Sequence, residues 1–133
     1  MALTKDRNNP FREGDLVSHP VAAAKKIYAG ALVVLNATGY AEPGSTATTL
    51  KAVGRAEVFA DNSTGMDGAV SVSIRRGAFK YKNHTDAVTR ADIGNSCYIV
   101  DDETVAKTNG TSTRSAAGKV IDLDTDGVWV EIR

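Results

Sequence analysis

Residues Asp122, Asp124 and Asp126 stand at alternate positions ahead of Gly127, the spacing with which a calcium loop opens. Such a loop needs a glutamate at its twelfth position to give two oxygens to the cation, and that position here is Arg133. Residues 128–132 alternate apolar and polar like a strand instead of continuing as a helix. The segment is expected to be a hairpin turn whose aspartates bond their own backbone. His19 and His84 have no acidic or thiol partner at ligand spacing, so both are expected on surface loops. Cys97 is the only cysteine, which excludes an internal disulfide and a cysteine-based zinc site. Its neighbours, Ser96, Tyr98, Ile99 and Val100, read as a strand, so the thiol is expected to be a small buried hydrophobe. No Gly-x-Ser-x-Gly elbow or phosphate-cradling loop occurs. Catalytic, metal and cofactor residues are therefore assigned to none, and the chain is read as a non-enzyme.

Two groups of residues suit binding better than catalysis. Arg75, Arg76, Lys80 and Lys82 interleave with Phe79 and Tyr81, a mixture that a nucleic-acid-binding strand uses for phosphates and base stacking. The alternative is a solvated strand edge whose cations discourage edge-to-edge pairing, or a contact to an acidic protein. The second group is the N-terminal arm, where Lys5, Arg7, Phe11 and Arg12 offer charge and one aromatic anchor. Residues 1–20 show no period of either kind, so they are expected to form an extended arm that a partner orders. A single β domain is expected over 21–133.

The bulk composition agrees with a binding role. In 133 residues, 16 basic side chains balance 16 acidic ones, which argues against whole-surface attraction to nucleic acid or anionic lipid. The first ten residues lack the apolar core of a signal peptide, and the apolar run 29–35 is too short to span a bilayer. The chain is therefore expected in the cytosol. The Asn-x-Thr triplets at Asn36, Asn62, Asn83 and Asn109 then read as turn residues.

Helix signals are few: a turn at most over 20–28, and a second starting at Thr89 with Asp92 as a weak capping box. Strand signals dominate, at 32–35, 53–59, 70–74, 97–100, 118–123 and 128–132, separated by turn chemistry such as Asn36 to Gly39, Asp67-Gly68 and Asn109-Gly110. The fold class is all-β: an antiparallel β-sandwich or jelly-roll-like barrel of short hairpins. Residues 30–75 and 94–133 also pass through the same order of events. Gly30 and Gly94 open them, Ala41 matches Ala106, Gly54 matches Gly118, and Ile74 matches Ile132. This reads either as two copies of a four-strand unit, each covering the other's apolar face, or as the repetition any hairpin protein shows.

The arm together with "FREGDLVSHPVAAAKKIYAGALVVLNATGYAEPG", "KAVGRAEVFADNSTGMDG", "IRRGAF" and the C-terminal "CYIVDDETVAKTNGTSTRSAAGKVIDLDTDGVWVEI" resembles small proteins of tailed-phage head gene clusters. These occur in Mu-like and related phages beside the major capsid protein. The resemblance implies a capsid cement, or decoration, protein. Such a protein would bind the outer surface of an HK97-like head across capsomer boundaries and stabilise it against internal DNA pressure. It implies the major capsid protein as partner, and self-association as a homodimer or a trimer, the dimer favoured. The location implied is the virion surface, after assembly in the host cytoplasm. No cofactor, membrane or direct nucleic-acid partner is expected. Capsid contacts are expected at Lys5, Arg7, Phe11, Arg12, Arg75 and Arg76. A nucleic-acid-binding β-barrel using the Arg75–Lys82 strand, or another tail or baseplate protein, is the alternative.

Overall fold

Short apolar runs bounded by Gly, Asn and Asp become strands throughout the computed structural model, which describes residues 2–10, 12 and 14–133. In chain order they are β1 Leu16–Pro20, β2 Lys25–Ile27, β3 Leu32–Leu35, β4 Ala41–Pro43, β5 Lys51–Ala56, β6 Ala60–Asn62, β7 Ser71–Arg75, β8 Gly77–Asn83, β9 Ser96–Ile99, β10 Thr104–Ala106, β11 Ala116–Asp124 and β12 Gly127–Ile132. No α-helix forms among the described residues. The chain is all-β, as expected. A single 3-10 turn at Arg90–Asp92 starts where the capping box predicts, with Asp92 Oδ2 accepting from the Thr89 backbone N–H at 2.8 Å.

Two five-stranded units share one topology. The first sheet has the order β1-β7-β5-β3-β4, and the second is a closed barrel that runs β8-β12-β11-β9-β10. Reading along the chain, β1, β3, β4, β5 and β7 take the places of β8, β9, β10, β11 and β12. The register repeats as well. Val17 faces Ile74 as Phe79 faces Val130, and His19 faces Val72 as Tyr81 faces Val128. Leu35 faces Ala41 as Ile99 faces Val105, and Ala56 faces Ile74 as Val120 faces Val130. Bonds outside the ladders recur too: Gly30 N–H donates to Ala56 O at 2.9 Å, and Gly94 N–H donates to Val120 O at 2.8 Å. At Gly54 and Gly118 an added Cβ would run into a backbone carbonyl of the next strand, Arg75 O or Glu131 O. The internal echo is therefore a repeat of structure, and it is longer than its sequence outline. It begins at β1 and at β8. Two matches also move: Ile74 corresponds to Val130, not Ile132, and Ala41 to Val105, not Ala106.

The units differ at their closing seam. In the second, β10 lies parallel to β8, and the Lys82 and His84 N–H groups donate to Glu103 O and Val105 O at 2.8 and 3.0 Å. In the first, Ala22 N–H makes the matching bond to Ala41 O at 2.8 Å. Pro20 occupies the place of Lys82 and has no N–H to give. A single parallel bridge, Val21–Ala41, spans that seam at one end, and the sheet stays open below it.

The apolar side chains form two clusters instead of one shared core. Val21, Ile27, Val33, Val72 and Ile74 belong to the first, and Phe79, Ile99, Val105, Val128 and Val130 to the second. The halves still interlock, because Leu32 and Val34 of β3 enter the second cluster.

Two expected boundaries change. The arm ends before Leu16, because Leu16–Pro20 pairs along β7. Its alternation, Val17 and His19 half-buried between exposed neighbours, is too short and too polar to stand out in sequence. The expected helical turn over 20–28 does not form: Ala23 and Ala24 make a turn, with Ala24 in the left-handed region at φ 59°, and Lys25–Ile27 pairs with β6. Buried Asn62 holds this segment: its amide donates to Val21 O, Ala22 O and Met66 O at 3.1, 3.0 and 2.9 Å. Asn62→Ala should therefore cost about 1–3 kcal/mol in a urea unfolding measurement, since Ala22 O loses its donor while Val21 O and Met66 O keep only the N–H groups of Gly68 and Ala69. A loss below about 0.5 kcal/mol would show that the amide does not hold the segment.

Candidate functional site

Arg75 and Arg76 illustrate how strand geometry sorts a basic pair. Successive side chains point to opposite faces, so the two part company. Arg75 Nε pairs with Glu57 at 3.3 Å, on the face where Arg55 meets the same carboxylate at 2.6 Å. Arg76 instead borders a cleft of about 420 Å³ between β1 and the paired strands β3 and β5. Its floor is Val17, Leu35 and Val53, and its rim carries His19, Lys51, Arg76 and Arg133. The chain preceding β1 passes this rim: Arg76 Nη1 donates to Gly14 O at 3.4 Å, and Arg133 pairs with Asp15 at 3.2 Å.

The cleft has a physical origin in the repeat. Val17 and His19 stand where the second unit places Phe79 and Tyr81. Those rings are buried and fill the interior of their barrel, with the Arg55 guanidinium 4.5 Å from the centre of the Phe79 ring. A valine and an imidazole are smaller, so the first unit keeps an open space lined by half-buried apolar side chains.

The other expected site residues fall as follows. Lys5, Arg7 and Arg12 lie exposed on the arm, and Phe11 lies outside the described residues. His19 is on β1 and borders the cleft, where a loop was expected; His84 Nδ1 accepts from Asp86 N–H at 3.0 Å. The basic-aromatic strand is β8. It is an interior strand, flanked by β12 and β10, and not the expected edge. Its rings face inward, so it offers lysines to solvent but no stacking surface for bases. Burial pushes the Tyr81 hydroxyl pKa above its usual value.

The aspartate-rich segment is a hairpin between β11 and β12, with Asp124 opposite Gly127. Lys80 Nζ lies 3.0 Å from Asp126 and 3.7 Å from Asp124, and Trp129 Nε1 donates to Asp124 at 2.8 Å. The Asp126 partnership, foremost its hydrogen bond, raises the Lys80 pKa and lowers that of Asp126. Cys97 is fully buried, its Sγ 3.6 Å from Gly118 O, and burial pushes its pKa up to about 12. At neutral pH it is a thiol with almost no nucleophilic form. Among the described residues no group of His, Cys, Asp and Glu gathers in metal-binding geometry, and no helix is long and apolar enough to cross a membrane.

A second cleft, of about 450 Å³, lies at the opposite end of β3 and is lined by Tyr28, Gly30, Asp102 and Glu103 among others. Tyr28 and Phe59 are half exposed, with ring centres 5.2 Å apart. No family model, curated protein or solved structure matches the chain.

Sequence reasoning reached Arg76 but missed its neighbours. His19, Lys51 and Arg133 are far apart in the chain, and the β1–β7, β5–β7 and β8–β12 pairings gather them. The aligned repeat, with Val17 and His19 standing at Phe79 and Tyr81, held the signal.

The second cleft supplies a pH test. Burial first, then the charges of Asp101 and Glu103, raise the Asp102 pKa. A carboxyl with a raised pKa in the folded state favours folding while protonated, and that contribution is lost as pH rises through the folded value. Asp102→Asn should therefore melt higher than the parent at pH 7 and equal to it near pH 3. A lower melting temperature at pH 7 would show that the carboxylate is used by the fold.

Proposed function

We propose that the protein is a structural cement of a protein shell, a decoration protein of a tailed-phage head that bridges neighbouring capsomers as a homodimer. The observation that carries this reading is the junction of two binding features at one place. An exposed arm bearing Lys5, Arg7 and Arg12 leads into the rim of an apolar cleft edged by Lys51, Arg76 and Arg133. An extended arm gains no folding energy from its own domain, so its order must come from a partner. A repeated shell offers that partner many times over, and many weak contacts then add by effective concentration. A two-fold pair of copies would place one such junction on each of two capsid subunits.

The body suits this use. Two interlocked β units with short connections make a stiff block, and stiffness lets an arm transmit load between subunits. Of the six contacts expected from sequence, Arg76 is the one that the described fold places on the cleft. Arg75 is held by Glu57, so it contributes less to a partner.

Removal of residues 1–12 tests the reading. The truncated protein should fold and form its dimer, with a melting temperature within a few degrees of the parent. It should sediment poorly with expanded shells of the neighbouring major capsid protein. Full-occupancy decoration by the truncation would take the arm out of the contact, and failure of the intact protein to bind any shell would remove the cement reading.

A further inference from the structure

The outer edge of β1 is an unfinished sheet. Val21 N–H donates to Val70 O at 2.9 Å, and Arg76 N–H donates to Asp15 O at 2.7 Å. Antiparallel ladders bond alternate residues, so the odd positions of β1 face β7 and the even ones face outward. Ala22, the next even position beyond the strand, meets Ala41 on that outer side. The peptide groups of Leu16 and Ser18 point the same way, and among the described residues none pairs with them. β4 begins at Ala41, opposite Val21, so it does not run alongside β1 below that level. The edge thus borders the open seam of the first unit, beside the cleft.

We propose that this seam takes an extended segment of another protein, added as a strand along β1. Backbone groups of the segment would bond Leu16 and Ser18, and alternate side chains would turn inward over the cleft. The floor of Val17, Leu35 and Val53 selects a large apolar or aromatic side chain, in a unit that lacks the rings of Phe79 and Tyr81. The rim selects carboxylates. Asp15 answers Arg133, while among the described residues no carboxylate answers Lys51 or Arg76. An acidic strand with an apolar face therefore fits, and the basic arm of a second copy does not. Ligand seams of this volume, apolar with a few charged groups at the edge, fall within the ordinary range for binding clefts.

This inference names the chemistry of the contacted segment and rests on the cement reading only for which protein carries it. The test uses the full chain and two labelled eight-residue peptides. In the first, valine and threonine alternate around one phenylalanine and the ends are glutamates; in the second, lysines replace the glutamates. Fluorescence anisotropy should show the glutamate peptide binding at least tenfold tighter. Arg76→Glu with Lys51→Glu should reverse the order. Ser18→Pro should fold normally, because its lost N–H points away from β7, and should lose the glutamate peptide. Equal binding of the two peptides, or none, would overturn the proposal, as would unchanged binding to folded Ser18→Pro. If the intact protein decorates shells while neither peptide binds, the seam proposal fails and the cement reading stands. If the glutamate peptide binds at the seam and shells are never decorated, the reverse holds.

Discussion

The burial of β3 on both of its faces is the constraint on which the other contacts depend. Leu32, Val33 and Val34 are wholly buried, with Leu32 and Val34 in one apolar cluster and Val33 in the other. A strand with no polar side needs protein on both sides, and each unit supplies one of them. Backbone and loop contacts follow from that position. Leu32 N–H donates to Asp102 O at 2.8 Å, Ser45 bridges to Asp101, and Thr46 Oγ1 donates to Val100 O at 2.8 Å. Further along, the Ser115 hydroxyl donates to Ala47 O at 2.7 Å and accepts from Leu50 N–H at 3.1 Å. The 44–50 loop of the first unit is thereby fastened to the second, and neither cluster is complete without β3 and its hairpin.

A repeated topology makes the differences between the units informative. Where the strands must close on one another, both keep a glycine against a carbonyl, at Gly54 and Gly118. Where the second unit has Phe79, Tyr81 and Lys82, the first has Val17, His19 and Pro20. The aromatic pair fills one barrel, and its absence opens a cleft in the other. The proline removes one rung of the seam. Three substitutions along a single strand therefore turn a closed structural unit into one with an open, cation-rimmed side, and the arm leads directly into that side.

Much of the fold was legible because it follows local rules. The Leu32 to Leu35 run, the alternating strands near Val72 and Val130, the Thr89–Asp92 turn and the Asp124–Gly127 hairpin all carry their signal in neighbouring residues. β1 is hidden in the sequence because five residues with a histidine and a proline give a weak period. The sidedness of β8 was half legible: its alternation predicts rings and lysines on opposite faces, but not that β10 covers the outer edge. The cleft was least legible. Its residues come from the beginning, middle and end of the chain, and only non-local pairing brings Val17, Lys51 and Arg133 together.

Native-state hydrogen exchange on Val33→Ala tests most directly whether β3 binds the two units into one cooperative structure. Val33 lies in the first cluster, which contains no side chain of β12. Under conditions where opening is at equilibrium, the amides of Val72 and Ile74 in β7 and of Val128 and Val130 in β12 should lose protection by the same factor. Loss confined to β7, with β12 protected as in the parent, would show two independently stable units and contradict the account.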